Sequence, residues 1–249
     1  MKKFIVLLLI AFIAKNVSAQ KVNVAAAANL RYVLEEIKTD YSRKHPGTNI
    51  DIIFGSSGTL VQQISNGANF DLFMAADDEF PLILQGKNLT TGSVDVYARG
   101  KLVMYSTRLP VDQKGFALLK DPGIKKIAVA NPATAPYGGR SVELMKKMQV
   151  YEALKKKIVV ADNISQAAQF AFTGNTEICF IAMSLVLTPE MKGKGRYYVI
   201  PQHLYDPIDQ SCVQIKRSRH NVEVARFKAY VLSPETKSIW EKWGYSVPE

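Results

Sequence analysis

The sequence has only two cysteines and three histidines in 249 residues. Two cysteines allow at most one bridge, so the chain is not a disulfide-stapled scaffold, and at this length its apolar residues are enough to build a core without staples. Cys179 and Cys212 lie in β-like runs, EICFIAM and SCVQI. The sequence leaves open whether they pair, and two buried free thiols are the preferred reading. His45, His203 and His220 sit apart in polar, loop-like contexts, without the spacing of a metal-ligand pair. HExxH, a paired-cysteine ligand set and the Walker loop are all missing, and GSSG lacks the glycine two residues past Ser57 that a nucleophile elbow needs. These absences weigh against a secreted hydrolase and against a bound metal cation.

Long apolar runs are scarce as well. The one candidate, Phe4 to Ala14, follows Lys2 and Lys3 and precedes the small residues Val17, Ser18 and Ala19. It is shorter than the roughly 20 residues of a membrane-spanning helix and reads as a cleavable signal peptide over residues 1–19. A periplasmic location follows as an expectation. Lysine and arginine outnumber the acids, 32 to 22, for a formal charge of +10; three of those charges, Lys2, Lys3 and Lys15, belong to the leader, leaving +7. The remaining lysines are scattered and are not interleaved with aromatics, so no nucleic-acid stripe is formed; solvated helix faces account for them.

What the sequence has in quantity is alternation. Short β-branched runs (VNVAAA, NIDIIF, DLFMA, KLVMYS, KIAVA, KIVVA, ICFIA) are followed by amphipathic stretches. Leu30, Val33, Leu34, Ile37 and Tyr41 share one helix face after the first run. Helices are expected over about 139–148, 163–172, 221–232 and 234–243. This pattern predicts an α/β fold with mostly parallel sheets covered on both faces by helices. Two such sets, separated near residues 97–101, predict two lobes: residues 20–98 plus 208–249 in lobe I, and 99–207 in lobe II.

Four strand-to-helix junctions share one chemistry: AAANL (Ala26 to Leu30), FGSSGTL (Phe54 to Leu60), NPATAPYGG (Asn131 to Gly139) and ADNIS (Ala161 to Ser165). Each offers small residues, or a side-chain cap such as Asn29 or Asp162, where a helix begins. Helix N-termini present free amide donors and a partial positive charge, and in open α/β sheets ligands gather at the carboxyl ends of strands. One such junction is an ordinary capped turn. Four of them suggest an anion site.

At these blocks the chain resembles the periplasmic molybdate-binding proteins, the substrate-binding components of ABC importers. AAAANL, FGSSGTLVQQISNGANFDLFMAAD, VYARGKLVMYS, ANPATAPYGG and ADNISQAAQFAFTGNTEICFIAMS are similar to that family's successive segments, in order and over nearly all the mature chain. The resemblance implies a type II-like, two-lobed binding protein, acting as a monomer, with its cleft closing on molybdate or tungstate held through oxygens. It implies an ABC permease as partner and no cofactor. Carried over residue by residue, it implies Asn29 and the Ala28 amide at the first junction, Ser57 and the Gly58 amide at the second, and Tyr137 and the Ile164 amide in the other lobe. Asn29 stands where many members have Ser. Some members take a tyrosine from the position of Met183; here Tyr137 is the expected phenol. Sulfate, then phosphate, are the alternative ligands. Asp162 is read as an N-cap, and Asp71, Asp77 and Asp78 as strand-end and turn residues.

Overall fold

A computed structural model describes residues 20–248. The predicted signal peptide therefore lies outside the described residues. Among those described, no helix is long and apolar enough to cross a membrane.

Among the described residues, ten strands form two five-stranded sheets. The first sheet has the order β2 (Thr48–Gly55), β1 (Gln20–Ala27), β3 (Leu72–Met74), β10 (Ile208–Ile215), β4 (Thr90–Gly100). The second has the order β7 (Ile158–Ala161), β6 (Ile127–Ala130), β8 (Ile178–Ala182), β5 (Leu102–Ser106), β9 (Arg196–Val199). Both sheets are mixed. Strand β1 pairs in parallel with β2 and β3, whereas β10 runs against β3 and β4. Likewise β6 is parallel to β7 and β8, and β5 runs against β8 and β9. In each sheet, one strand opposes four.

The apolar runs explain which strands are central. Val22, Val24, Ala25 and Ala26 of β1 are completely buried, as are all five residues of β8. Such strands need cover on both faces. The first sheet is covered by α1 (Arg31–Lys44), α2 (Ser57–Ser65), α3 (Glu79–Gly86), α6 (Val222–Val231) and α7 (Lys237–Lys242); the second by α4 (Pro136–Lys147) and α5 (Ile164–Phe172). Helix α1 buries Val33, Leu34, Ile37 and Tyr41, the face expected from their spacing. The carboxy-terminal helices fold back onto the first sheet: Trp240 stacks on Tyr97 of β4 with ring centroids 5.0 Å apart, and the Tyr41 hydroxyl bonds the Glu223 carboxylate.

Two strands have no counterpart in the sequence reading. TTGSVDVYARG forms β4. It is an edge strand with exposed or half-buried residues through Asp95 and a glycine at position 92, so its apolar alternation is weak. Strand β9 is a four-residue edge. Edge strands need little burial, and the backbone pairing that defines them leaves no mark on composition. Helix α4 begins at Pro136 rather than near Gly139, with proline in the first turn where its missing N–H costs nothing.

The chain passes between sheets twice, at Lys101 and through residues 200–207, and the two passages lie side by side because Ile208 pairs with Gly100. Cys179 is in β8 of the second sheet and Cys212 in β10 of the first; both are free and buried. Burial in apolar surroundings pushes the Cys212 thiol up to about 12.

Candidate oxyanion site

Each sheet turns the carboxyl ends of its parallel strands toward the other. Where they meet is a small cavity, with about 10 Å³ open to the centre of a water-sized sphere, far below the roughly 300 to 1,000 Å³ typical of pockets for organic ligands. The first sheet lines it with Ala27 to Asn29 after β1, Gly55 to Ser57 after β2, and Ala76 after β3. The second contributes Ala135 to Tyr137 at the start of α4 and Ile164 at the start of α5. No lining residue carries a charge. The cavity therefore offers an anion dipoles and hydrogen-bond donors rather than a countercharge.

The best-prepared donor is Ser57. Its side chain is fully buried, and its Oγ accepts the Ala76 amide at 3.1 Å. Because that bond uses a lone pair, the hydroxyl proton stays available to a ligand. Ser56, the N-cap of α2, uses its own hydroxyl on Thr59 Oγ1 at 2.7 Å.

Helix α5 is capped by Asn163, whose Oδ1 accepts the amides of Ser165 at 3.0 Å and Gln166 at 3.1 Å. Asp162 is thus not the cap that the sequence suggested. It lies one residue too early, and its amide donates to Gln166 Oε1. The cap satisfies the second and third amides of the helix and leaves the first, that of Ile164, for the cavity.

Three expected ligands occupy different roles from those the sequence suggested. Gly58 does not line the cavity; its amide donates to the Thr134 carbonyl at 2.8 Å, tying α2 to the loop before α4. Asn29 lines the cavity, but its Nδ2 points into the interior, donating to Gln210 Oε1 at 2.8 Å and to the Tyr245 hydroxyl at 2.9 Å. Both amide protons are spent there, so Asn29 and Ala28 have only the main chain of the short 3₁₀ turn Ala28–Leu30 to offer. Tyr137 lines the cavity too, yet its hydroxyl accepts a bond from Gln210 Nε2 at 3.1 Å. Gln210 and Gly100 lie against that hydroxyl and outside the cavity lining, so the phenol is anchored at the crossover strands. Burial raises its pKa, which keeps the phenol protonated. Met183 is also outside the cavity: its side chain packs toward Gly244.

Sequence reasoning missed Ala27, Gly55, Ser56, Ala76, Ala135 and Pro136, which complete the lining. All but Ala76 sit within two residues of one already singled out. Ala76, in FDLFMAAD, could be located only once β3 was seen to end beside β1. Behind Ala76, Asp77 is buried and accepts the Phe80 amide at 3.1 Å. Desolvation, with help from Glu79 and Asp78, raises its carboxyl to about 7. Among the described residues, no group of His, Cys, Asp and Glu could hold a metal ion.

Residues 22–246 match the family of bacterial extracellular solute-binding proteins. The chain is 36% identical over 241 residues to the molybdate-binding protein ModA of Rhodobacter capsulatus, covering 96% of this chain and 93% of that one. It is 35% identical over 249 residues to ModA of Azotobacter vinelandii, covering 99% and 98% of the two chains. The solved structure of an Azotobacter vinelandii periplasmic molybdate-binding protein superposes with a TM-score of 0.86 at 28% identity, over 92% of this chain and all of that one. A match that runs through both sheets and every junction of the cavity places the chain in the bacterial extracellular solute-binding protein family.

Proposed function

We propose that this protein captures molybdate outside the cytoplasm and delivers it to an ABC-type permease. The observation that carries this reading is the cavity: strand ends and helix starts from both sheets converge on a small, uncharged, donor-lined space, and relatives 35% and 36% identical are named for molybdate. It is a binding protein, not an enzyme. Under this reading Ser57 gives its hydroxyl proton, and the amides of Ala28, Asn29, Tyr137 and Ile164 give the rest. Bonds to a charged acceptor contribute about 1.5 to 3 kcal/mol each, enough in number here to hold a desolvated dianion.

Tungstate, with the same shape and charge, fits the same donors. Phosphate at neutral pH keeps a proton that needs an acceptor, and the lining supplies no carboxylate. Sulfate is smaller and leaves longer, weaker bonds in a ring spaced for molybdate. Residues 20–100 plus 208–249 and residues 101–207, the expected boundary at 99 moving to 101 because β4 runs to Gly100, act as two lobes that swing together about the paired crossovers, since neither alone surrounds a tetrahedral ion. The protein works as a monomer in the periplasm, after removal of the 1–19 leader.

A melting panel tests this function. At a thousand times its dissociation constant, a ligand adds about 4 kcal/mol of stability, which raises the melting temperature of a chain this size by roughly 8 to 16 °C. Molybdate and tungstate should give that shift, and sulfate and phosphate little at equal concentration. A large shift with sulfate and none with molybdate would overturn the assignment.

A further inference from the structure

Gln210 is a completely buried polar residue in the middle of β10, outside the cavity lining. Its carboxamide is bonded at both ends. Oε1 accepts the Asn29 amide at 2.8 Å, and Nε2 donates to the Tyr137 hydroxyl at 3.1 Å. Asn29 belongs to the β1 junction on the first sheet; Tyr137 belongs to the first turn of α4 on the second. One rigid planar group on a crossover strand therefore spans from one wall of the cavity to the other.

The space around it is built to permit this. A Cβ at Gly100, the residue before the chain crosses at Lys101, would overlap the Tyr137 hydroxyl and come within 2.6 Å of Gln210 Nε2. The bond directions are also set. Because Gln210 Oε1 already accepts from Asn29, its amide orientation is fixed and Nε2 must face Tyr137.

We infer that Gln210 is a positioning residue that sets the width of the oxyanion cavity, and thereby its preference for a large tetrahedral dianion over a small one, through its bridge from Asn29 to Tyr137. The inference rests on the molybdate reading above. With the bridge present, the amides of the β1 junction and of α4 are held at one separation. Without it, the wall carrying Tyr137 loses its fixed distance from the wall carrying Asn29, and a smaller anion is no longer penalised.

The test is calorimetry with molybdate and with sulfate on the wild type, Gln210→Met, Tyr137→Phe and the double variant, together with melting curves of each ligand-free protein. Gln210→Met keeps the length of the side chain and removes both polar ends. It should weaken molybdate at least tenfold and sulfate by much less, so that the ratio of the two affinities shrinks. Tyr137→Phe removes one end of the same bridge and should shrink the ratio too. The double variant should be no worse for molybdate than the worse single variant, because both act through one contact. Equal weakening of both anions, or losses that multiply in the double variant, would overturn the inference and reduce Gln210 to a buried structural residue. Should Gln210→Met fail to fold, Tyr137→Phe alone decides by the same ratio. Wild type that binds neither anion would instead refute the function itself, a result distinct from wild type that binds molybdate with a ratio unaffected by the substitutions.

Discussion

The amide of Gly58 donates to the carbonyl of Thr134 at 2.8 Å, joining the first turn of α2 in one sheet's half to the loop before α4 in the other's. A side chain at this glycine would meet the Thr134 Cα and the Phe80 ring, both at 2.9 Å. The two halves come this close because position 58 has no Cβ.

Gly58→Ala should therefore keep the halves apart. Overpacking costs about 1 to 3 kcal/mol, and here it falls on the closed form, so molybdate affinity should drop by roughly 5- to 150-fold. The ligand-free melting temperature should change little if the two halves separate without ligand. Small-angle scattering with saturating molybdate reports the arrangement: a profile as compact as wild type, with unchanged affinity, would show that the Gly58 contact is dispensable.

Ser57→Ala should have two effects. Loss of a hydroxyl donated to a charged ligand should weaken binding by about 1.5 to 3 kcal/mol. The same substitution strips the buried Ala76 amide of its acceptor, so the ligand-free protein should also lose about 1 to 3 kcal/mol of stability. Calorimetry and urea unfolding separate the two. A normal dissociation constant beside a lowered unfolding midpoint would confine Ser57 to the structural role.

Asp77 gives a pH dependence with a definite sign. Its carboxyl is raised to about 7 by burial, above the ordinary value of about 4. Between these two values the folded chain holds a proton that the unfolded chain has released. The stabilisation from this group is thus complete below about pH 4 and is lost as pH rises through about 7. Melting temperatures measured at pH 5 and pH 8 should differ less in Asp77→Asn than in wild type. The asparagine stays neutral and can still accept the Phe80 amide. An identical difference in both proteins would mean that Asp77 is already ionised at pH 5.

The sequence alone determined the alternating architecture, because central strands and the helices over them must be apolar on known faces. VNVAAA, ICFIA and the spacing from Val33 to Tyr41 carry that information locally. It also located the junctions, since a glycine, serine or asparagine between a strand and a helix has few other uses. Three of the six expected site residues, Ala28, Ser57 and Ile164, line the cavity at the junctions where the sequence put them, without the reassigned side-chain roles of Asn29 and Tyr137.

Only the tertiary structure decided what each polar group does there. Asn29 and Tyr137 line the cavity, but the Asn29 side-chain amide and the Tyr137 hydroxyl are both bonded to Gln210, on a strand some 180 residues from Asn29 and more than 70 from Tyr137. Gly58 serves Thr134, and Asn163 rather than Asp162 caps α5. A hydroxyl or amide in a sequence shows only its capacity to donate and accept. Which partner takes each bond depends on what distant strands bring within about 3 Å, and no local pattern records that distance.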